Sequence, residues 1–259
     1  MAWGRQITIK TPQEIEIMRE AGRINAEALA AARAAIRVGA TTADVDAAAE
    51  EVLKKYGTYS PFKNYPNYPG KPAFPASTCV SVNEELVHGI PGKRKLKEGD
   101  IVSVDCGCVY EGFVGDAAFT AGVGEISHTA QKLLEVTEQS LYAGIAKMVA
   151  GNHIGDVSSA VQAYVESHGL YVTREYTGHG VGRAMHEGPQ VPNYGYPGRG
   201  LELKVGMTIA LEPMVLVGTD QTVTTGDEWT VRSKDRSLTA HFEHSVAITE
   251  AGPLILTVV

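Results

Sequence analysis

Two stretches of this chain, 112 residues apart, begin in the same way. Gly39-Ala-Thr-Thr-Ala-Asp44-Val45 is echoed by Gly151-Asn-His-Ile-Gly-Asp156-Val157, and the same offset pairs Gly57 with Gly169. Each copy follows a segment of helical periodicity, opens a second helix, stops at a glycine and gives way to strand-like sequence. Two helix starts that converged on similar caps produce the same pattern as a duplication does. A duplication restricts the fold more sharply. It predicts one α+β domain over residues 1–259, with pseudo-twofold halves at about 11–124 and 125–259 and a site between them. No stretch with the composition of a linker divides the chain.

The elements follow in order. Thr11-Pro12-Gln13-Glu14 is a capping box with proline at the first helical position, followed by Ile15, Met18, Gly22, Leu29, Ala32 and Ile36 at helical spacing up to Gly39. A second helix starts at Thr41 and carries Val45, Ala48, Val52, Leu53 and Tyr56 on one face before Gly57. Residues 58–76, rich in proline and tyrosine, read as an irregular loop. Ser77 to Val82 is β-prone, and Asp100 to Phe119 reads as a hairpin. Two helices are expected at about 128–149 and 154–168, and from Leu170 the pattern is β, including 206–217 and 239–249.

Composition narrows the function classes. The net charge is −7, which makes a poor general nucleic-acid binder and argues against DNA as a partner. No run approaches the ~18 apolar residues of a membrane span. Met1 to Lys10 lacks a signal-peptide core, and three cysteines are an odd number for a disulfide framework, so a reducing cytoplasm is expected.

Carboxylates interrupt apolar strands. A two-residue turn at 110–111 would pair residue 109 with 112 and Asp105 with Asp116, setting two carboxylates ~5 Å apart on one face. Such a pair repels, so a cation is expected between them. A longer turn set by Gly112 would slip the register and separate them. Glu212 lies in Met207-Thr-Ile-Ala-Leu-Glu-Pro-Met-Val-Leu216, and Glu243 lies in Thr239-Ala-His-Phe-Glu-His-Ser-Val. A charge in such a run is paired with Lys or Arg, or is a ligand. Pro213 denies a ladder donor, so its strand ends or lies at an edge. Tyr176 to Pro192 holds His179 and His186, with Gly178, Gly180 and Gly182 around the first. It reads as an exposed glycine-rich loop or as a turn beneath a metal or anion. Two Asp, two Glu and one His carry −4, which two divalent cations match. Oxygen-rich ligation with one imidazole suits Mn²⁺, Fe²⁺, Co²⁺ or Zn²⁺. Cys106 and Cys108 fall on the strand face opposite Asp105 and read as core.

With these residues assembled, the chain resembles the type I methionine aminopeptidases of the short bacterial kind. The resemblance rests on S-V-N-E-E-L-V-H-G-I-P-G (81–92), the Asp105/Asp116 pair, Y-T-G-H-G-V-G-R-A-M-H-E-G-P-Q-V (176–191), A-L-E-P-M (210–214) and W-T-V-R-S-K-D-R-S-L-T-A-H-F-E-H (229–244). Related dimetal peptidases that cleave next to proline normally carry an additional N-terminal domain. Type II relatives carry an insertion for which the 33-residue interval from His179 to Glu212 leaves no room.

The resemblance implies the pita-bread fold, a curved antiparallel sheet covered by about four helices. It implies that Asp105, Asp116, His179, Glu212 and Glu243 hold two metals, Asp116 and Glu243 bridging, with a hydroxide between them as nucleophile. Glu212 would act as general base, His186 would stabilise the scissile carbonyl, and His88 would bind the substrate amide or leaving nitrogen. The substrate would be the initiator methionine of a nascent chain whose second residue is small. The methionine pocket would include Phe74, Cys79, Met185 and Trp229. Lys71 stands where the family commonly has tyrosine and Met185 where it often has phenylalanine, so Tyr65 or Tyr68 is a candidate to complete the lining. The family habit is a monomer, and Lys93-Arg94-Lys95-Leu96-Lys97 is either a solvated turn or a weak ribosome contact. A proline-directed dipeptidase and a binding protein that has lost catalysis are the competing functions.

Overall fold

The computed structural model describes residues 7–259. Its first half runs α1 (Pro12–Ala35), α2 (Thr42–Lys55), β1 (Thr78–Val82), β2 (Glu85–Val87), β3 (Ile101–Tyr110) and β4 (Phe113–Gly122). Two helices open the second half, α3 (His128–Ile145) and α4 (Ile154–Ser167), followed by β5 (Tyr171–Val172), β6 (Thr177–Gly180) and β7 (Glu187–Pro192). Then come β8 (Thr208–Leu211), β9 (Met214–Leu216), β10 (Thr222–Thr224) and β11 (Val231–Ser233). The chain closes with β12 (Thr239–His241), β13 (Glu243–Thr249) and β14 (Gly252–Ile255). The main sheet is antiparallel in the order β1-β3-β4-β13-β8-β6-β7, with β14 also paired to β13. Two three-stranded sheets, β10-β11-β2 and β12-β9-β5, complete the β structure. Among the described residues no helix is long and apolar enough to cross a membrane.

The helix starts follow from their caps. Thr11 and Glu14 form a reciprocal capping box, Thr41 and Asp44 form another, and the Asp156 carboxylate accepts the His153 N–H at 2.7 Å. Gly39, Gly57, Gly151 and Gly169 all adopt positive φ, which an L side chain resists. The likeness of the halves extends past the caps. Gly39 donates its N–H to Leu96 (2.8 Å) and Gly151 to Leu203 (2.9 Å); Thr42 donates to Arg94 (3.0 Å) and Ile154 to Leu201 (2.9 Å). These backbone partners correspond at a constant offset between the two stretches. The basic run sits in this connection. Leu96 is buried, Arg94 pairs with Glu85 at 2.8 Å, and Lys93, Lys95 and Lys97 are exposed.

Several expected boundaries move. Helix α1 ends at Ala35 with Ile36 extended, so Gly39 belongs to the turn beyond the helix rather than to its cap. Helix α3 ends at Ile145, short of 149. The apolar runs 206–217 and 239–249 each divide in two, because Pro213 has no N–H and the Phe242 N–H turns to the Pro213 carbonyl at 3.3 Å. The hairpin turn lies at Glu111-Gly112, not at 110–111. Both residues have positive φ, 47° and 76°, as a tight primed turn requires with glycine in its second place. Tyr110 therefore pairs with Phe113, Asp105 faces Ala118, and Asp116 faces Gly107. The two aspartates are diagonal neighbours rather than opposed ones. Both partners shift by two positions, so they remain on one face.

Helix α1 lies close against this hairpin. A Cβ on Gly115 would come within 2.7 Å of the Gly22 nitrogen, and one on Gly22 within 2.3 Å of the Leu256 carbonyl oxygen. Met18 and Ile24 pack fully buried around the crossing. Gly115→Ala should therefore destabilise the protein by about 1–3 kcal/mol through overpacking. Urea unfolding should show a lower midpoint at unchanged slope; an unchanged midpoint would show that α1 can move off the sheet at no cost.

Candidate active site

Five neighbouring strands of the main sheet, β3, β4, β13, β8 and β6, each deliver one polar side chain to the same place. Asp105 comes from β3, Asp116 from β4, Glu243 from the start of β13 and His179 from β6, while Glu212 follows the last residue of β8. Asp116, His179 and Glu243 are buried; Asp105 and Glu212 open partly onto a cavity of about 550 Å³. His179 Nε2 lies 3.8 Å from Asp116 Oδ2 and 3.7 Å from Glu212 Oε1.

Burial and mutual repulsion dominate the electrostatics. Burial pushes Asp116 up to about 7. Asp105, Glu212 and Glu243 are held well above the usual carboxylate range, first by burial and then by one another's charges. Among the described residues no Lys or Arg forms an ion pair with any of the four; their near partners are His179 and His241. The buried oxygens Asp105 Oδ1, Asp116 Oδ1 and Glu243 Oε1 have no hydrogen-bond partner. Buried polar atoms in this state call for an ion or water.

The histidine chemistry points the same way. Burial lowers His179 to about 4, so the ring is neutral. His179 Nδ1 is 3.0 Å from the Gly180 carbonyl, which can only accept, so Nδ1 carries the proton. Nε2 is then the acceptor nitrogen, turned towards two carboxylates. An acceptor facing anions is stabilised by a cation between them, and a carbonyl-anchored neutral imidazole is the form that ligates metals.

Two overlapping groups have the spacing to hold an ion, Asp116–His179–Glu243 and Glu212–His241–Glu243, the ligand atoms of each within 4.8 Å of one another. Glu243 belongs to both. Asp105 stands outside these two groups but faces the cavity beside them and couples electrostatically to Asp116. His241 is the residue that sequence reasoning missed. Its buried Nε2 lies 3.3 Å from Glu212 Oε2 without hydrogen-bond alignment, and burial lowers the ring to about 3. The available signal was its position two residues before Glu243, the spacing that puts strand side chains on one face.

The apolar wall is a separate cluster. Phe62, Phe74, Ala76 and Cys79 are buried together, with Tyr65, Met185 and Trp229 packed against them. Cys79 is the register partner of Asp105, which places it beside the carboxylates. Trp229 meets the Phe74 ring edge-on at 5.2 Å and donates its indole N–H to the Pro72 carbonyl at 2.8 Å. Lys71 is turned out to pair with Glu228, and Tyr65 and Tyr68 both line the cavity. The Tyr65 hydroxyl is 2.6 Å from His186 Nδ1, and the His186 ring lies 4.4 Å from that of His179. His88 lines the cavity from a left-handed backbone conformation (φ 59°), with its ring near Tyr176 and Trp229. Burial lowers His186 to about 3 and His88 to about 4, so both act as neutral groups. Cys106 and Cys108 pack in the main core on the other side of β3.

A raised carboxylate pKa has a definite consequence for stability. Asp116 moves from 3.8 unfolded to about 7 folded, so the folded state holds the extra proton between these values. Its contribution is fully favourable below about pH 4 and is lost as the pH rises to about 7. Metal-free protein should lose thermal stability over that window, and Asp116→Asn should flatten the loss and melt higher at pH 7. Added divalent cation should raise the melting temperature of the parent and not of the variant. Equal pH profiles for the two proteins would refute the burial-driven rise of Asp116.

Comparison with known proteins agrees with this geometry. The sequence profile of metallopeptidase family M24 matches residues 16–250. A methionine aminopeptidase of Clostridium acetobutylicum is 52% identical over 252 residues, covering 97% of this chain and 98% of that one. The crystal structure of the methionine aminopeptidase from Thermotoga maritima superposes with a TM-score of 0.93 at 49% identity, covering 97% of this chain and 99% of that chain. That of the Rickettsia prowazekii methionine aminopeptidase superposes with a TM-score of 0.94 at 35% identity, covering 98% and 100%. The curved sheet with its helical cover is thus the pita-bread architecture, and the chain belongs to metallopeptidase family M24, among its methionine aminopeptidases.

Proposed function

We propose that this protein removes the N-terminal methionine of nascent polypeptides whose second residue is small. The observation that carries the reading is that Phe74, Cys79, Met185 and Trp229 line the same cavity as Asp105, Glu212, His88 and His186. A soft apolar wall suits a thioether, and the polar groups beside it suit amide hydrolysis. In this reading the chain acts as one catalytic domain over residues 1–259, a monomer in the cytoplasm. Lys93, Lys95 and Lys97 are available for a weak contact with the ribosome that presents the substrate.

Asp105, Asp116, His179, Glu212 and Glu243 would hold two divalent cations of the Mn²⁺, Fe²⁺, Co²⁺ or Zn²⁺ class, with Asp116 and Glu243 shared. When bound, these supply Lewis acidity and make water a nucleophile near neutral pH. The protein's own groups bind and orient the substrate. The methionine side chain fills the apolar pocket, which leaves the scissile bond over the carboxylates. With the Tyr65 hydroxyl donating to His186 Nδ1, Nε2 carries the ring proton and offers it to the scissile carbonyl oxygen. His88 bonds the substrate amide or the leaving nitrogen. Glu212, its pKa raised by burial and by Asp105 and Asp116, takes a proton from the attacking water and passes it to the leaving amine as the amide C–N bond breaks. A bulky second residue is rejected by contact with the pocket wall.

Purified protein supplied with Mn²⁺ or Co²⁺ should release methionine from Met-Ala-Ser and leave Met-Lys peptides intact. Glu212→Ala and His186→Ala should each lower kcat by about 100-fold or more. Full turnover in both variants would remove the assigned roles. Cleavage of Xaa-Pro dipeptides in place of Met-Ala-Ser would favour a proline-directed enzyme.

A further inference from the structure

One buried ion pair lies behind the cavity and is not used by the chemistry above. Lys10 Nζ bonds Glu187 Oε2 at 2.6 Å, with side-chain exposures of 4% and 9%. The Thr8 hydroxyl donates to the same oxygen. The other oxygen, Oε1, accepts the Ala184 N–H at 3.1 Å and so closes the short turn that carries Met185 and His186. Glu187 is the residue that follows His186. On the other side of the pair, the Lys10 N–H donates to the Gly206 carbonyl at 2.8 Å, and the Gly206 N–H donates to Ile248 on β13 at 2.9 Å. Ile7 forms a parallel bridge to Gly188. The segment before α1 thus ties the His186 turn to the main sheet.

We propose that Lys10 and Glu187 are positioning residues for His186, fixing its imidazole over the carboxylates from behind while Tyr65 fixes it from the front. A buried ion pair is poor evidence for stability, because desolvating two charges offsets their attraction. Its directional bonds do fix geometry, and here they end on the turn that carries His186. The space for the pair is built in: a Cβ on Gly182 would lie 2.5 Å from Lys10 Cε and 2.6 Å from Glu187 Oε1. Gly182, one of the glycines after His179, thus leaves room for the ends of both side chains. A displacement of ~1 Å in a group that orients substrate is enough to lower turnover about 100-fold.

The proposal rests on the aminopeptidase reading for its kinetic arm only. The test uses the doubly apolar variant Lys10→Met/Glu187→Leu, which removes both charges at similar volume and leaves neither unpaired. With Met-Ala-Ser and Mn²⁺, kcat should fall about 100-fold while KM changes less than about threefold, at a parental melting temperature. The same double change in a His186→Ala background should lower kcat by less than about threefold, because the group it positions is already gone. Independently of turnover, the side-chain ¹⁵N resonances of His186, assigned by difference with His186→Ala, should shift in the double variant. Lys10→Arg should retain the parental resonances in large part. Unchanged His186 resonances, or an equal loss of kcat in both backgrounds, overturns the proposal. If the parent releases no methionine, the functional reading fails and the resonances alone decide the positioning role. Should the double variant melt lower, Lys10→Met/Glu187→Gln, which keeps an acceptor for Ala184 and leaves no charge unpaired, should give the same kinetic and spectral pattern at smaller amplitude.

Discussion

Mutual repulsion among four enclosed carboxylates is the constraint on which the rest of this structure depends. Asp105, Asp116, Glu212 and Glu243 converge from adjacent strands; burial raises all four, and the charge of Asp116 raises the other three further. A sheet gains nothing from such an arrangement by itself. His179 sharpens the conflict, since its Gly180 bond turns an acceptor nitrogen towards the same oxygens. A cation resolves both, and the unpartnered oxygens of Asp105, Asp116 and Glu243 mark where its ligands would be. The surrounding fold holds these groups in place against their repulsion, with α1 close-packed on the β3–β4 hairpin and an apolar core beneath.

The two halves divide the work. The first supplies Asp105 and Asp116 on one hairpin, and the second supplies His179, Glu212 and Glu243. Their backbone correspondence reaches the site itself. Gly99 donates to Val123 and Gly206 donates to Ile248, each at 2.9 Å. Asp105 and Glu212 each follow their glycine by six residues. A centre shared between like halves is approached symmetrically by carboxylates. In the proposed reading, the features that distinguish one side from the other, His186, His88 and the apolar wall, would give a substrate its direction.

Much of this was legible in the sequence because it rests on local rules. The capping boxes at Thr11 and Thr41, the positive-φ glycines and the position of Cys106 and Cys108 opposite Asp105 follow from short-range stereochemistry. The Asp105/Asp116 register did not, because primed-turn geometry places Gly112 inside the turn rather than after it. Parity rescued the conclusion: a shift of two residues leaves both side chains on one face. The breaks at Pro213 and Phe242 were half visible, since proline announces a lost donor but nothing in Phe242 shows that its N–H turns to Pro213. His241 was hidden by its neighbour Glu243, and Lys10 gave no local signal, because its partner is 177 residues away.

Anomalous diffraction at the manganese edge, from crystals grown with Mn²⁺, tests most directly the proposal that the carboxylates hold two cations. Two peaks about 3.5–4 Å apart are expected, bounded by Asp105, Asp116, Glu212 and Glu243, with His179 against one of them. A cluster free of anomalous density at saturating Mn²⁺, with its carboxylates protonated or water-filled instead, would contradict it.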